Sequence, residues 1–168
     1  MANSDIDGWE SVDKPHRNGV VYRPAGEGKI PAAGMEGDFV NVLVDGTHTR
    51  GMGSFLEYTI APHGKGPGLH WHRAYDELFY VVVGTLKVIA AGVERTLQPR
   101  DFVFVPRGVI HSFWNVSDEE CVFVSGWTPP GAEQIFIQAN ELIESGEATP
   151  AKLQEMFAAI DGVIVDEP

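Results

Sequence analysis

The sequence is short of cysteine, of basic side chains and of long apolar runs, and each shortage removes a class of protein. A single cysteine, Cys121, cannot close a disulfide within the chain and fits a reducing compartment. Twelve Lys and Arg stand against 24 Asp and Glu, a formal net charge of −12. Nucleic acid and anionic membranes reward clustered positive charge, so neither is expected as a partner. No apolar run approaches the roughly 20 residues of a membrane-spanning helix. The opening MANSDIDGWESVDK is polar and acidic where a signal peptide would be apolar. The expected location is the cytoplasm.

What is present is an ordinary globular composition: 168 residues, 43% hydrophobic and 21% charged, enough for one sizeable core. Residues 1–36, rich in Gly, Pro and charge, read as an N-terminal extension with one short strand candidate at Val20–Tyr22. Residues 37–128 change character. Runs rich in Val, Ile, Phe and Tyr predict strands at about 39–44, 53–61, 69–72, 76–83, 85–90, 93–97, 102–105, 110–114 and 121–127. Gly84-Thr85 and Ala91-Gly92 read as hairpin turns. Many short strands with no helix between them indicate an all-β antiparallel sandwich or barrel. Residues 129–168 turn helical and are expected to pack on the barrel. Ile135, Ala139 and Leu142-Ile143 recur at helical spacing, and Thr149 can cap a second helix with Pro150 at its first position. Leu153, Met156, Phe157 and Ile160 give that helix one apolar stripe, and Gly162 stands where a left-handed terminal residue would end it.

The chemistry concentrates in GLHWHRAYDELFYVVVG, residues 68–84. Side chains alternate along a strand, so His70 and His72 point to one face. Glu77 follows at the start of the next strand, above an apolar wall formed by Phe79 and Val81. Farther on, RDFVFVPRGVIHSFWN leaves a strand at Pro106, turns at Gly108 and re-enters with His111. Solvated surface histidines would produce part of this pattern, and spacing alone leaves both readings open.

The longer spacing carries a family resemblance. Gly64-x5-His70-x-His72-x4-Glu77-x6-Gly84 resembles the first motif of the cupin superfamily, and Pro106-x-Gly108-x2-His111-x3-Asn115 resembles the second. APHGKGPGLHWH, DELFYVVVG, FVFVPRGVIHSFWN and TPPGAEQIF are similar to single-domain cupins grouped with bacterial quercetin dioxygenases. The resemblance implies a cupin double-stranded β-helix, a jelly-roll barrel, with C-terminal helices and a homodimeric assembly. It also implies one divalent transition metal held by His70, His72, Glu77 and His111. Three imidazoles and a carboxylate suit Fe, Ni, Co, Mn, Cu or Zn and leave positions open for a substrate. One place departs from the family pattern: Arg100 stands where the second motif usually has Gly, so it either takes a positive φ at a cost of about 1 kcal/mol or the turn changes type, and Pro99 before it suits a type I turn.

The remaining candidates are weighed by position. His16, His48 and His63 are expected at the surface, and Cys121 as a small buried hydrophobe. The stretch His63-Gly64-Lys65-Gly66 does not lead from a strand into a helix, so it is no phosphate loop. Tyr58, Phe79, Phe113, Trp114 and Phe136 are candidates to line the barrel mouth, Tyr58 only if Met52, Leu56, Tyr58 and Ile60 face inward. A mouth of rings favours a flat, largely apolar small molecule. The leading expectation is a metal-dependent dioxygenase acting on an enolic or phenolic aromatic substrate, with Glu77 as general base. A non-oxidative cyclase, isomerase, dehydratase or decarboxylase is the second reading, and a non-catalytic ligand-binding cupin the third. Beside Phe79 and Val81, a Glu77 carboxylate is expected to gain affinity for protons.

Overall fold

Alternation of apolar and polar side chains makes this chain fold as two facing sheets. The structure, a computed structural model, describes residues 10–11, 20–32, 35–159 and 162–165. In β5 (Ser54–Ile60), Leu56, Tyr58 and Ile60 point inward, and in β7 (Asp76–Val83) the inward set is Glu77, Phe79 and Val81. Cys121, Phe123, Ser125 and Trp127 do the same in β12 (Cys121–Thr128). These strands join β3 (Ile30–Pro31), β4 (Phe39–Val44) and β10 (Phe102–Val105) in a six-stranded sheet ordered β10-β7-β12-β5-β4-β3. The facing five-stranded sheet runs β13-β6-β11-β8-β9. It is built from β6 (His70–His72), β8 (Leu86–Ala90), β9 (Val93–Leu97), β11 (His111–Trp114) and β13 (Gly162–Ile164). A small parallel pair, β1 (Glu10–Ser11) with β2 (Val21–Tyr22), stands apart from both sheets. The rings of Tyr58, Phe79, Phe113 and Phe123 fill the core, with Tyr58 stacked on Phe123 at 5.1 Å. The architecture is the double-stranded β-helix that the sequence predicts.

Turn chemistry fixes the registers. Gly84-Thr85 is not the hairpin turn expected: Gly84 (φ +77) carries the chain from β7 in one sheet to β8 in the other, and a Cβ there would come within 2.5 Å of the Glu120 carbonyl oxygen. Ala91 and Gly92 both take positive φ between β8 and β9, as a two-residue hairpin with the right twist requires. The residues that begin and end the two cupin-like motifs also meet, since Asn115 N–H donates to Gly64 O at 2.8 Å.

The helices follow the sequence reading: α1 spans Gln134–Glu144 and α2 spans Pro150–Ala159, where the Thr149 hydroxyl accepts from Lys152 N–H at 3.2 Å. Three more expectations change. Gly162 does not end α2 in a left-handed turn; it opens β13, which pairs with β6, because a nearby strand edge was free to bond. Met52 is not on the inner face of β5, since the strand begins two residues later and Met52 is 79% exposed. Arg100 does not sit in a type I turn. Asp101 N–H donates to Gln98 O at 2.9 Å and Arg100 has φ +80, the third position of a type II turn. Ile160 and His16 lie outside the described residues.

A positive φ costs a residue with a Cβ roughly 1–2 kcal/mol, part of which glycine returns as chain entropy. Arg100→Gly is therefore expected to raise the free energy of unfolding in urea by up to about 1 kcal/mol. A loss of stability would show that the Arg100 side chain matters more than its backbone.

Candidate metal centre

Two sheets supply the site. β6 brings His70 and His72 to one face, and β11, paired antiparallel with β6 through His111↔His70, adds the third imidazole. Glu77 comes from β7 in the opposite sheet. All four side chains are buried, and one ligand atom from each lies within 4.8 Å of the others. His111 Nε2 and Glu77 Oε2 are 2.9 Å apart, and His72 Nε2 is 3.4 Å from the same oxygen. Ser125, from β12, donates its hydroxyl to Glu77 Oε1 at 3.0 Å and so orients the carboxylate.

The donor set asks for a cation. His70 Nδ1 donates to Gly68 O at 2.9 Å and His111 Nδ1 to Val109 O at 2.8 Å. A carbonyl only accepts, so both rings carry their Nδ1 proton and, when neutral, turn an Nε2 lone pair toward the centre. Burial, with His111 close by, lowers the His70 pKa to about 4, which keeps that ring neutral. Burial also opposes charge on His111, yet the Glu77 carboxylate raises its affinity for a proton. Lone pairs facing a carboxylate in a buried pocket are repulsive unless a positive charge stands among them. That charge is a proton when metal is absent, and the four donors fit a borderline divalent ion.

One expectation reverses. Burial does push Glu77 toward protonation, but His111 and His72 beside it hold its carboxyl below the usual range. The apolar wall is real, since Phe79 and Val81 are fully buried, but the imidazoles outweigh it.

Above the centre lies a cavity of about 340 Å³. Tyr58, Phe113 and Phe136 line it with His70, His72 and Glu77. Phe79 does not reach it; the ring packs behind the site, 5.5 Å from Phe113 and 6.3 Å from His111. Trp114 faces a separate surface hollow beside His63. His48 is held by Asp45 at 2.8 Å and His63 by Asp118 at 3.0 Å, both away from the centre. Cys121 is buried, which raises its thiol pKa to about 12. Sequence reasoning missed Trp127 and the C-terminal residues Leu153, Gln154, Phe157 and Ile164, which also line the cavity. Trp127 was accessible to it, since Trp127 shares the inward phase of Phe123 and Ser125 and stands opposite Glu77 in register. For the C-terminal residues no local signal existed.

Two sheets closing around a His₃Glu set form a double-stranded β-helix of the cupin kind, and residues 56–127 match the family model described as Cupin domain. Among particular proteins, Protein SchB of Streptomyces halstedii is 25% identical over 121 residues, covering 71% of this chain and 88% of that one. A predicted oxalate decarboxylase from Thermotoga maritima superposes with a TM-score of 0.59 at 19% identity, over 66% of this chain and 99% of that one. The polyketide cyclase RemF from Streptomyces resistomycificus gives 0.50 at 21% identity, over 58% and 69%. These structural likenesses carry the fold.

His111→Ala is expected to lose most of the metal that the protein retains on purification, measured by elemental analysis, while its circular dichroism is unchanged. Unchanged metal content would rule out the four-donor centre.

Proposed function

We propose that the protein is a metal-dependent enzyme acting on a flat, largely apolar substrate through an enolic or phenolic oxygen. The observation that carries this is the lining of the cavity. Its walls are mainly Met, Ile, Leu, Phe, Trp and Tyr side chains, with Gln154, over a His₃Glu set, and among the described residues no Lys or Arg lines it. A phosphate or a small dicarboxylate would have no cationic side chain there to pair with, so the reading moves away from sugar phosphates and oxalate toward rings.

A divalent transition metal held by His70, His72, His111 and Glu77 would supply Lewis acidity to the substrate oxygen. The protein's own groups do the rest. Glu77 is charged and placed to accept the hydroxyl proton at Oε2, while Ser125 keeps the other oxygen fixed. Tyr58, Phe113 and Phe136 exclude water and hold the ring over the centre, and Tyr58 is itself anchored by donating to Asp38 Oδ2 at 2.9 Å. A Lewis acid and a proton acceptor suffice for cyclisation, isomerisation or dehydration, so non-oxidative chemistry of that kind is placed first. RemF bears the name of such an enzyme, although its likeness speaks only for the fold. Dioxygenation is the second reading, supported by the motif resemblance; it starts from the same anion and consumes O₂ in addition.

Glu77→Gln keeps size and one oxygen but removes the charge. The variant is expected to keep substantial metal and to lose turnover by a factor on the order of 10² beyond its metal loss. Equal losses would make Glu77 a ligand and nothing more. Product formed against a flat O₂ electrode trace identifies the non-oxidative class, and O₂ consumed mole for mole with substrate identifies the dioxygenase.

Assembly is part of the same proposal. The outer face of β7 and β10 exposes Tyr80, Val82, Phe102 and Phe104, and β10 stands at the end of its sheet. These four side chains offer on the order of 350 Å² of apolar surface, and an edge strand left open invites pairing. That area is the core of an interface that stable dimers extend to about 800 Å² per partner, and a second copy of this chain is the proposed occupant. Light scattering at micromolar concentration should give a dimer mass, and Phe102→Asp with Phe104→Asp a monomer. A monomeric wild-type protein would end the idea.

A further inference from the structure

The C-terminal segment covers the metal centre and joins the barrel only through the short edge strand β13. The family match ends at residue 127, yet Leu153, Gln154 and Phe157 of α2 and Ile164 of β13 form one side of the cavity. Phe157 lies closest to the centre, its ring 5.6 Å from that of His70 and 6.4 Å from that of His72. The ring is seated on Gly162, where a Cβ would come within 2.5 Å of Phe157 Cε1 and Cζ. Gly162 in turn pairs with His72 in the β13–β6 ladder, so cover and ligand strand share one register. The hold is nevertheless light. α2 has no fully buried residue, and β13 is three residues long.

We propose that Phe157 is the specificity-determining residue of the cavity: its ring roofs the His70 and His72 imidazoles and provides the face against which a planar substrate lies. This rests on reading the cavity as the substrate site. A ring-on-ring contact adds preference for flat aromatic substrates over aliphatic enols of equal metal-binding power, because only the former gain its stacking energy.

The test uses full-length protein loaded with cobalt and two probes that bind metal through paired oxygens. One is planar and aromatic, 1,2-dihydroxyanthraquinone; the other is small and aliphatic, acetylacetone. Wild-type protein should prefer the first. Phe157→Ala should weaken anthraquinone binding about tenfold, leave acetylacetone binding unchanged, and let dipicolinate strip the cobalt several times faster. Phe157→Leu, which keeps an apolar cover without a ring, should strip at nearly the wild-type rate and still lose the aromatic preference. Equal weakening of both probes, or a Phe157→Leu protein that binds the anthraquinone as wild type does, overturns the specificity role. Equal stripping rates in wild type and Phe157→Ala overturn the roof. Should wild-type protein bind neither probe, the proposed substrate class falls, and the stripping rates still decide whether Phe157 covers the centre.

Discussion

Four donors buried in one place, three of them lone pairs and the fourth a carboxylate, are the constraint on which this structure turns. Such a cluster is expensive in an apolar interior unless a positive charge sits within it. Its members come from both sheets, the histidines from β6 and β11 and the glutamate from β7. The spacing of the two sheets is therefore set at the site as well as by the aromatic core beneath it. Backbone contacts reinforce that frame, with Gly108 N–H donating to His72 O at 2.7 Å and Asn115 N–H to Gly64 O at 2.8 Å. Gly64 and Gly84 serve the same end by letting chain pass where a side chain would collide.

A second consequence concerns charge. The chain carries a net charge of −12, yet its cavity is lined by rings and aliphatic side chains around a single carboxylate. Under the proposed function, selection in such a cavity would work through shape and through an oxygen offered to the centre, not through attraction of a charged substrate. The acidic side chains outside the centre are left to solubility and to small local tasks such as the Asp76–Arg107 pair at 2.8 Å. That pair holds the Asp76 carboxyl well below its usual range and ties the start of β7 to the turn before His111.

Rigid and loosely held parts divide the work. The barrel holds the ligands with inward side chains that are almost fully buried, while the α2–β13 segment rests on it through a half-buried stripe and a three-residue ladder. The proposed chemistry would need the first property, since donor geometry has to be held closely. The two are joined at His72, where β6 meets β13 edge to edge.

Much of this was legible in the chain. Period-two alternation marked the barrel strands to within a residue or two, except β3 and β13, and put His70 and His72 on one face, while the motif resemblance joined Glu77 and His111 to them. Tertiary structure decided whatever depended on distant partners. Phe157 looks like any member of an apolar helical stripe until α2 is seen lying over His70 and His72. Gly162 reads as a helix terminator until the free edge of β6 recruits it. Phe79 shares a strand face with Glu77, but the depth of the barrel puts it in the core and not in the cavity. The proton affinity of Glu77 likewise follows from its imidazole neighbours across the sheet gap more than from the residues beside it on β7. Local sequence determined most of the strands and the shared face of His70 and His72, since those follow from neighbours along the chain. What covers the centre, and how its charges balance, was decided by residues that only folding brings together.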